Sequence, residues 1–81
     1  MQKSLDFGTE SSYPAIYENK IVWTDKRNGN WDIYMYDIST SKEKRITSNS
    51  SDSVWPAIYG NKIVWMDNRN GDYDIYMERL K

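Results

Sequence analysis

The sequence predicts an all-β chain built from two four-stranded antiparallel units, and three observations support this prediction. A block of twenty-seven residues occurs twice, at 13–39 and 55–81, and seventeen of its positions are identical. Each copy carries short runs of β-branched and aromatic residues, such as Ile21-Val22-Trp23, which favour strands. An Asn-Gly pair interrupts these runs in both copies. A repeat of about forty residues with such content is typical of a β-propeller blade.

The first strand of each unit, strand a, is led by a proline. Residues 14–17 recur as residues 56–59, and proline is tolerated at the first residue of a strand. Glu18-Asn19 and Gly60-Asn61 have the composition of tight turns. Strand b therefore follows strand a closely, and its apolar run is centred on Val22 and its copy.

Strands b and c are predicted to form a hairpin around Asn28-Gly29. This pair indicates a type I′ turn, because that turn needs positive φ at both of its central residues. With these two residues as the loop, Trp23 lies opposite Tyr34 and Val22 lies opposite Met35. Aromatic and aliphatic side chains then match across the ladder, which supports this register.

Strand d determines how the blades are completed. Residues 45–47 predict strand d of the first unit, and a flexible crossover at residues 48–53 leads to the second unit. The second unit ends after strand c, but residues 3–6 resemble residues 44–47. The domain 1–81 is therefore a two-blade propeller unit in a staggered frame, with a closing strand d at 2–6, a first blade at 13–47, and strands a to c of a second blade at 55–81.

Two blades are too few to close a ring, and neighbouring repeats are needed to cover their faces. A chain of 81 residues also buries a limited share of its surface. We therefore expect the ring to be completed by oligomerisation, because closed cyclic symmetry is the usual state of homo-oligomers. A homotrimer with six blades is favoured, and a tetramer with eight blades is the alternative.

Charge and composition exclude several classes of function. Eleven basic and twelve acidic residues give a net charge of -1, so the basic surface that nucleic acids require is missing. No apolar window is long enough to span a membrane, and the first residues lack the apolar core of a signal peptide. We expect an extracellular or cell-envelope location if the chain is cut from a larger surface protein.

The candidate catalytic groups are few. Histidine and cysteine are both absent, so the usual general base and thiol nucleophile are missing. The sequence therefore predicts a protein that is not an enzyme. A carboxylate-based enzyme using Asp25 and Asp32 remains an alternative.

The densest polar clusters flank the two Asn-Gly turns. We interpret them as structural, with Arg27 pairing with Asp25 and bridging to Asp32 so that the carboxylates do not repel each other. The cluster and its copy comprise Asp25, Arg27, Asp32, Asp67, Arg69 and Asp74. Calcium is the alternative ligand, because it binds several oxygen atoms. The spacing does not match an EF-hand loop, so we expect no cofactor.

The loops at one end of the blades form the candidate binding face. The b–c hairpins and d–a crossovers emerge there, and the two copies differ most at these positions, which suits surface loops. Trp31 is a candidate for stacking on a sugar, whereas Trp23 and Trp65 are predicted core residues. Tyr13 and Trp55 are predicted to pack between blades. The predicted ligand-facing residues are Lys26, Asn28, Asn30, Trp31, Asn68, Asn70, Asp72 and Tyr73.

The repeat resembles the TolB-like, or WD40-like, β-propeller family. The resemblance rests on the pattern Pro-Ala-Ile-Tyr-x-Asn-Lys-Ile-Val-Trp-x-Asp-x-Arg-Asn-Gly-x-x-Asp-Ile-Tyr-Met, present in both copies. It is most similar to tandem repeats in large surface proteins of methanogenic archaea. The resemblance implies protein-interaction and cell-envelope roles. We expect a non-catalytic interaction or scaffold module that binds a protein or a glycan, with a glycan- or calcium-binding propeller as the alternative.

Overall fold

The computed structural model describes residues 4, 10–48 and 50–80, and these residues form strands, turns and loops. Apart from Ser4, the predicted closing strand at 2–6 lies outside the described residues. The described part of the chain contains no helix that could cross a bilayer. The strands are β1 (Ser11–Tyr17), β2 (Lys20–Asp25), β3 (Asp32–Asp37), β4 (Lys42–Arg45), β5 (Ser53–Tyr59), β6 (Lys62–Asp67) and β7 (Asp74–Arg79).

The strands form two antiparallel sheets that follow chain order. The first sheet has the order β1-β2-β3-β4 and is called blade 1 here. The second has the order β5-β6-β7 and is called blade 2. The predicted all-β architecture of two repeated antiparallel units is thereby confirmed. Within the part of the chain that the structure describes, blade 2 has three strands, and the outer edge of β7 is unpaired.

The register of the b–c hairpin is as predicted. Trp23 lies opposite Tyr34 and Val22 opposite Met35, and blade 2 repeats the pairing with Trp65 opposite Tyr76. The matching of large side chains across neighbouring strands thus fixes which residues share a face.

The predicted type I′ turn is wrong. The N–H of Gly29 donates to the carbonyl of Lys26 at 3.1 Å, so Arg27 and Asn28 form the centre of the turn. Gly29 alone among residues 26–31 has positive φ, at 100°, whereas a type I′ turn would also require it of Asn28. Asp25 explains the difference, because its Oδ1 accepts the N–H of Arg27 at 2.9 Å. Such an Asx turn starts the reversal early, and a glycine then follows a type I turn.

Strand a is longer than predicted and contains a β-bulge. It extends over Ser11–Tyr17, and its pairing with β2 shifts between Ser12 and Ala15. Tyr13 lies in the bulge with φ of 54°, and its copy Trp55 has φ of 53°. The proline that follows each of them has no N–H for the ladder, which favours a bulge at this point.

Strand d lies earlier in the chain than the predicted residues 45–47. It spans Lys42–Arg45, because the N–H groups of Ile46 and Thr47 both donate to the carbonyl of Ile33, at 2.7 and 3.4 Å. Two donors on one carbonyl end the regular ladder. The Thr47 hydroxyl then accepts the N–H of Ile33 at 3.0 Å and takes the place of a backbone partner.

Side chains alternate between two faces of each blade. The aliphatic face of blade 1 comprises Ala15, Val22, Ile33, Met35 and Ile46. The aromatic face of blade 2 comprises Ile58, Ile63, Trp65, Tyr76 and Leu80. These two faces pack together and form the hydrophobic core of the described residues. The core therefore lies between the blades, as expected for stacked repeats.

Candidate functional site

Hydrogen bonds place the b–c hairpins and the crossover at one end of the blades. The carbonyl of Trp31 accepts the N–H of Ser53 at 2.7 Å, and the Asn30 amide donates to the Ser51 carbonyl at 2.7 Å. At the other end, the N–H of Ile38 donates to the carbonyl of Asn19 at 2.7 Å. The hairpin end therefore carries the loops that the sequence indicated as a binding face.

Each hairpin contains an arginine clamped between a buried carboxylate and an aromatic ring. Asp25 is fully buried, and its Oδ2 accepts bonds from Arg27 Nη2 and Trp23 Nε1, both at 3.0 Å. The Arg27 guanidinium lies 4.0 Å from the centroid of the Tyr34 ring. The Nη1 atom of Arg27 donates to Glu43 Oε1 at 2.9 Å. Arg27 thus joins the hairpin to strand β4 and stabilises the blade.

The second carboxylate of the hairpin has a different partner from the one predicted. Asp32 is bonded by Arg45 Nη2 at 2.7 Å and by the Thr47 hydroxyl at 3.2 Å, so the predicted bridge from Arg27 to Asp32 is not made. Strand β4 places Arg45 opposite Tyr34, within reach of Asp32. In blade 2 the corresponding Asp74 is exposed.

Blade 2 repeats the clamp with more donors around the carboxylate. Arg69 Nη2 donates to Asp67 Oδ2 at 2.9 Å, and the Ser51 and Ser53 hydroxyls donate at 2.9 and 2.8 Å. Burial by itself raises the pKa of Asp67, but hydrogen bonds from Arg69, Ser53, Ser51 and Trp65 outweigh it and hold that pKa well below its usual range. Asp67 is therefore a structural anion that orders the crossover.

Residues 51–53 of the crossover are hydrogen-bonded to both hairpins. Besides the two serine bonds, the N–H of Asp52 donates to Asn68 Oδ1 at 2.8 Å, and Asp52 Oδ1 accepts the N–H of Trp31 at 3.1 Å. The buried Asp67 needs donors, and the crossover supplies them. Residues 51–53 therefore tie the hairpins of the two blades together.

The asparagines of the predicted binding loops make bonds within the fold. The Asn28 and Asn70 amides donate to the hydroxyls of Tyr34 and Tyr76, at 2.7 and 3.0 Å. Asn30 is bonded to the crossover, and Asn68 is bonded to Asp52. These four side chains thus have structural partners, whereas Asp72 is exposed at the tip of the second hairpin.

Trp31 and Tyr73 line a cavity of about 410 Å³ between the two blades. Two further aromatic rings, those of Tyr13 and Trp55, contribute to its wall and meet edge to face with centroids 6.0 Å apart. The interblade contact predicted for this pair is therefore present, but the two residues are still 59% and 54% exposed. Lys26 lies beside the cavity, with Nζ 5.6 Å from the centroid of the Trp31 ring.

Sequence reasoning missed the other residues that line the cavity. These are Ser12, Thr24, Asp52 and Val54. A signal was present, because an aromatic residue directly before a strand proline marks the bulge that turns the ring out of the sheet. The sequence did not show that both bulges face the same gap between the blades.

The carboxylates considered for catalysis or metal binding have structural partners. Asp25 and Asp32 lie opposite each other, but both are fully buried and each is paired with an arginine. Within the described ranges, no three acidic side chains converge on a point that would hold a metal ion. Both carboxylates therefore serve as structural partners, which disfavours the alternative of an acid–base pair.

The fold and the repeated hairpin define a fragment of a β-propeller. Among solved structures, the TolB-assigned protein of Agrobacterium tumefaciens matches with a TM-score of 0.78 and 23% identity over 86% of this chain. TolB from Acinetobacter baumannii matches with a TM-score of 0.73 and 27% identity over 89% of this chain. The chain spans 27% and 19% of those two proteins. The predicted TolB-like propeller fold is thereby confirmed. No protein-family model matches the chain, and no curated protein matches it either.

Proposed function

We propose that this chain is a non-catalytic interaction module that completes a closed propeller with copies of itself. The observation that carries the proposal is that its two outer faces repeat the two surfaces already packed together in its core. The aliphatic face of blade 2 is a copy of the face that blade 1 buries. The aromatic face of blade 1 is a copy of the face that blade 2 buries.

The aliphatic faces carry the same residues at four positions and differ in burial. Val22 and Ile33 of blade 1 are completely buried. Their copies Val64 and Ile75 are 37% and 72% exposed, and Met77 is 55% exposed. An apolar face of this kind on a sheet marks an interaction surface.

Two aliphatic positions on the aromatic faces show the reverse asymmetry. Leu80 of blade 2 is 8% exposed and lies in the core, whereas Ile38, its counterpart in blade 1, is 46% exposed. Ile58 packs against the core, whereas its copy Ile16 is 61% exposed. Ile16 and Ile38 are therefore exposed where their counterparts in blade 2 are covered, whereas Trp23 and Tyr34 on the same face are 2% and 5% exposed.

A second copy fits these faces in the geometry of the internal interface. Its aromatic face would pack on the aliphatic face of the first copy, so the contact would be head to tail. Such heterologous contacts generate rings when the rotation between subunits closes. Three chains giving six blades are favoured, and four chains giving eight are the alternative.

A cell-surface or envelope location is a further part of the proposal. It is supported by the cell-envelope role that the TolB-like character of the repeat implies. In this setting the ring would act as a scaffold, and the loops at its hairpin end would bind a protein or a glycan.

Charged substitutions on the two open faces test the proposal by sedimentation. Ile75→Lys places a charge on the aliphatic face of blade 2, and Ile16→Lys places one on the aromatic face of blade 1. Each variant should lose assembly, because a buried unpaired charge is strongly unfavourable. Asp72→Lys adds a lysine at an exposed hairpin tip and should keep the wild-type mass.

Mixing the two face variants gives the sharper result. Ile75→Lys keeps an intact aromatic face and Ile16→Lys keeps an intact aliphatic face, so a mixture should form a heterodimer through one wild-type contact. A mixture that stays monomeric, or face variants that keep the wild-type mass, would contradict the head-to-tail arrangement.

A further inference from the structure

The cavity between the blades is walled by four aromatic rings and is complete within one chain. Tyr13 and Trp31 belong to blade 1, and Trp55 and Tyr73 belong to blade 2. Its volume of about 410 Å³ lies within the range of small-molecule sites, which is roughly 300–1,000 Å³.

The backbone at the two bulges supports a role beyond packing. Tyr13 and Trp55 have φ of 54° and 53°, a region that is a marked outlier for bulky residues. The proline that follows each residue favours the bulge, yet Tyr13 and Trp55 are 59% and 54% exposed. Backbone strain at exposed aromatic residues often occurs at ligand sites.

The charges at the cavity favour a cation. Among the described residues of the lining, Asp52 alone is charged, and its carboxylate is held in place by the N–H of Trp31 on Oδ1. The ammonium of Lys26 already lies over the Trp31 ring, so this ring attracts positive charge in the structure itself. An anionic ligand would instead meet the Asp52 carboxylate and the negative faces of the rings.

We propose that this cavity binds a small organic cation of the trimethylammonium class, such as free choline. Aromatic rings that surround a quaternary ammonium stabilise it through cation–π interactions, and Asp52 adds a neutralising charge. A sugar fits less well, because its hydroxyls need several polar partners. The Thr24 hydroxyl of the lining already donates to the Ser53 carbonyl at 2.7 Å, and Asp52 Oδ1 is bonded to Trp31.

Titration of tryptophan fluorescence with choline tests the site, because Trp31 and Trp55 line it. The matched ligand control is 3,3-dimethylbutan-1-ol, which has the same shape without the charge. We expect saturable binding of choline and much weaker binding of the neutral alcohol. Equal binding of the two, or saturable binding of glucose without choline, would overturn the proposal.

Two variants measure separately how the Asp52 charge and an aromatic ring contribute to choline binding. Asp52→Asn keeps an oxygen for the N–H of Trp31 and removes the charge, and Trp55→Ala removes one ring. Each should weaken choline binding roughly three- to thirtyfold. Tyr59→Ala removes a ring that is 77% exposed at the far end of β5, and it should leave binding unchanged. Wild-type affinity in Asp52→Asn would contradict the proposal.

Two further experiments test whether the ligand is positively charged and whether it is free or part of a lipid. Lys26→Gln removes a positive charge near Trp31 and should tighten choline binding, whereas weaker binding would count against a cation site. Phosphatidylcholine vesicles present the same group on a lipid surface, and a site for the free ligand predicts no cosedimentation. Cosedimentation that Trp55→Ala abolishes would overturn the assignment to a free ligand.

Discussion

Ile33 and Ile75 occupy the same position in the two blades, yet Ile33 is 0% exposed and Ile75 is 72% exposed. Both lie on strand c of the repeat, Ile33 opposite Thr24 and Ile75 opposite Met66. The residue and its position in the repeat are the same, so neighbouring elements account for the difference. Blade 2 and Ile46, which follows β4, cover Ile33, and no described residue of the chain gives Ile75 an equivalent cover.

This relationship predicts how matched truncations affect stability. Ile33→Ala should lower the free energy of unfolding by about 2–5 kcal/mol, because it leaves a cavity in the core. Ile75→Ala should have a comparable effect at concentrations where chains are assembled, and little effect in dilute solution. Chemical denaturation over a range of protein concentrations measures both. An Ile75→Ala variant that is neutral at every concentration would show that the face stays in water.

The arginine clamps should differ in strength. Arg27→Ala should lower stability by about 1–3 kcal/mol, since it removes charge-assisted bonds to the buried Asp25 and to Glu43. Arg69→Ala should lower it by about 0–1 kcal/mol, because Arg69 is more exposed and Asp67 keeps its serine donors. Thermal melts of the two variants should rank them in this order, and the opposite ranking would show that Glu43 and burial matter little.

Removing calcium with a chelator tests whether the aspartate–arginine clusters of the hairpins are structural or bind calcium. Because arginine already neutralises the buried carboxylates, EDTA should leave the melting temperature unchanged, and added calcium should not raise it. A melting temperature that falls with EDTA and recovers with calcium would make the hairpin aspartates metal ligands.

Acid should destabilise the chain through Asp67. The pKa of Asp67 is lowered in the folded state, so the unfolded chain binds a proton more readily, with an ordinary aspartate pKa of about 3.9. The stability from this group is therefore present above about pH 4 and is lost as the pH falls further. Asp67→Asn should melt at a lower temperature at neutral pH and show a shallower fall between about pH 5 and pH 2. The exposed Asp72→Asn serves as the control, and an unchanged slope in Asp67→Asn would exclude this role.

Deleting residues 2–6 tests the predicted closing strand. The edge of β7 has no partner among the described residues, and an unpaired edge promotes aggregation. If these residues pair with β7 of a neighbouring molecule, the truncated chain should aggregate or lose assembly. The same mass and melting temperature in the truncated chain would rule this pairing out.

The repeat made the blades and their register predictable, because pairs such as Trp23 with Tyr34 fit one alignment of the strands. The turn type was not predictable from Asn28-Gly29, because the side chain of Asp25 moves the turn by one residue. The partner of Asp32 depends on where strand d brings Arg45, which local patterns do not specify. The cavity was missed because it needs the bulge at Tyr13 and the bulge at Trp55 to face each other across two blades.

The solution mass of the wild-type chain tests the central claim most directly. Multi-angle light scattering at micromolar concentration should give three times the chain mass of 9.6 kDa, corresponding to six blades, with four times that mass as the alternative. The mass should fall to that of one chain in Ile75→Lys. A wild-type chain that remains a 9.6 kDa monomer under these conditions would contradict the proposal that its open faces bind copies of itself.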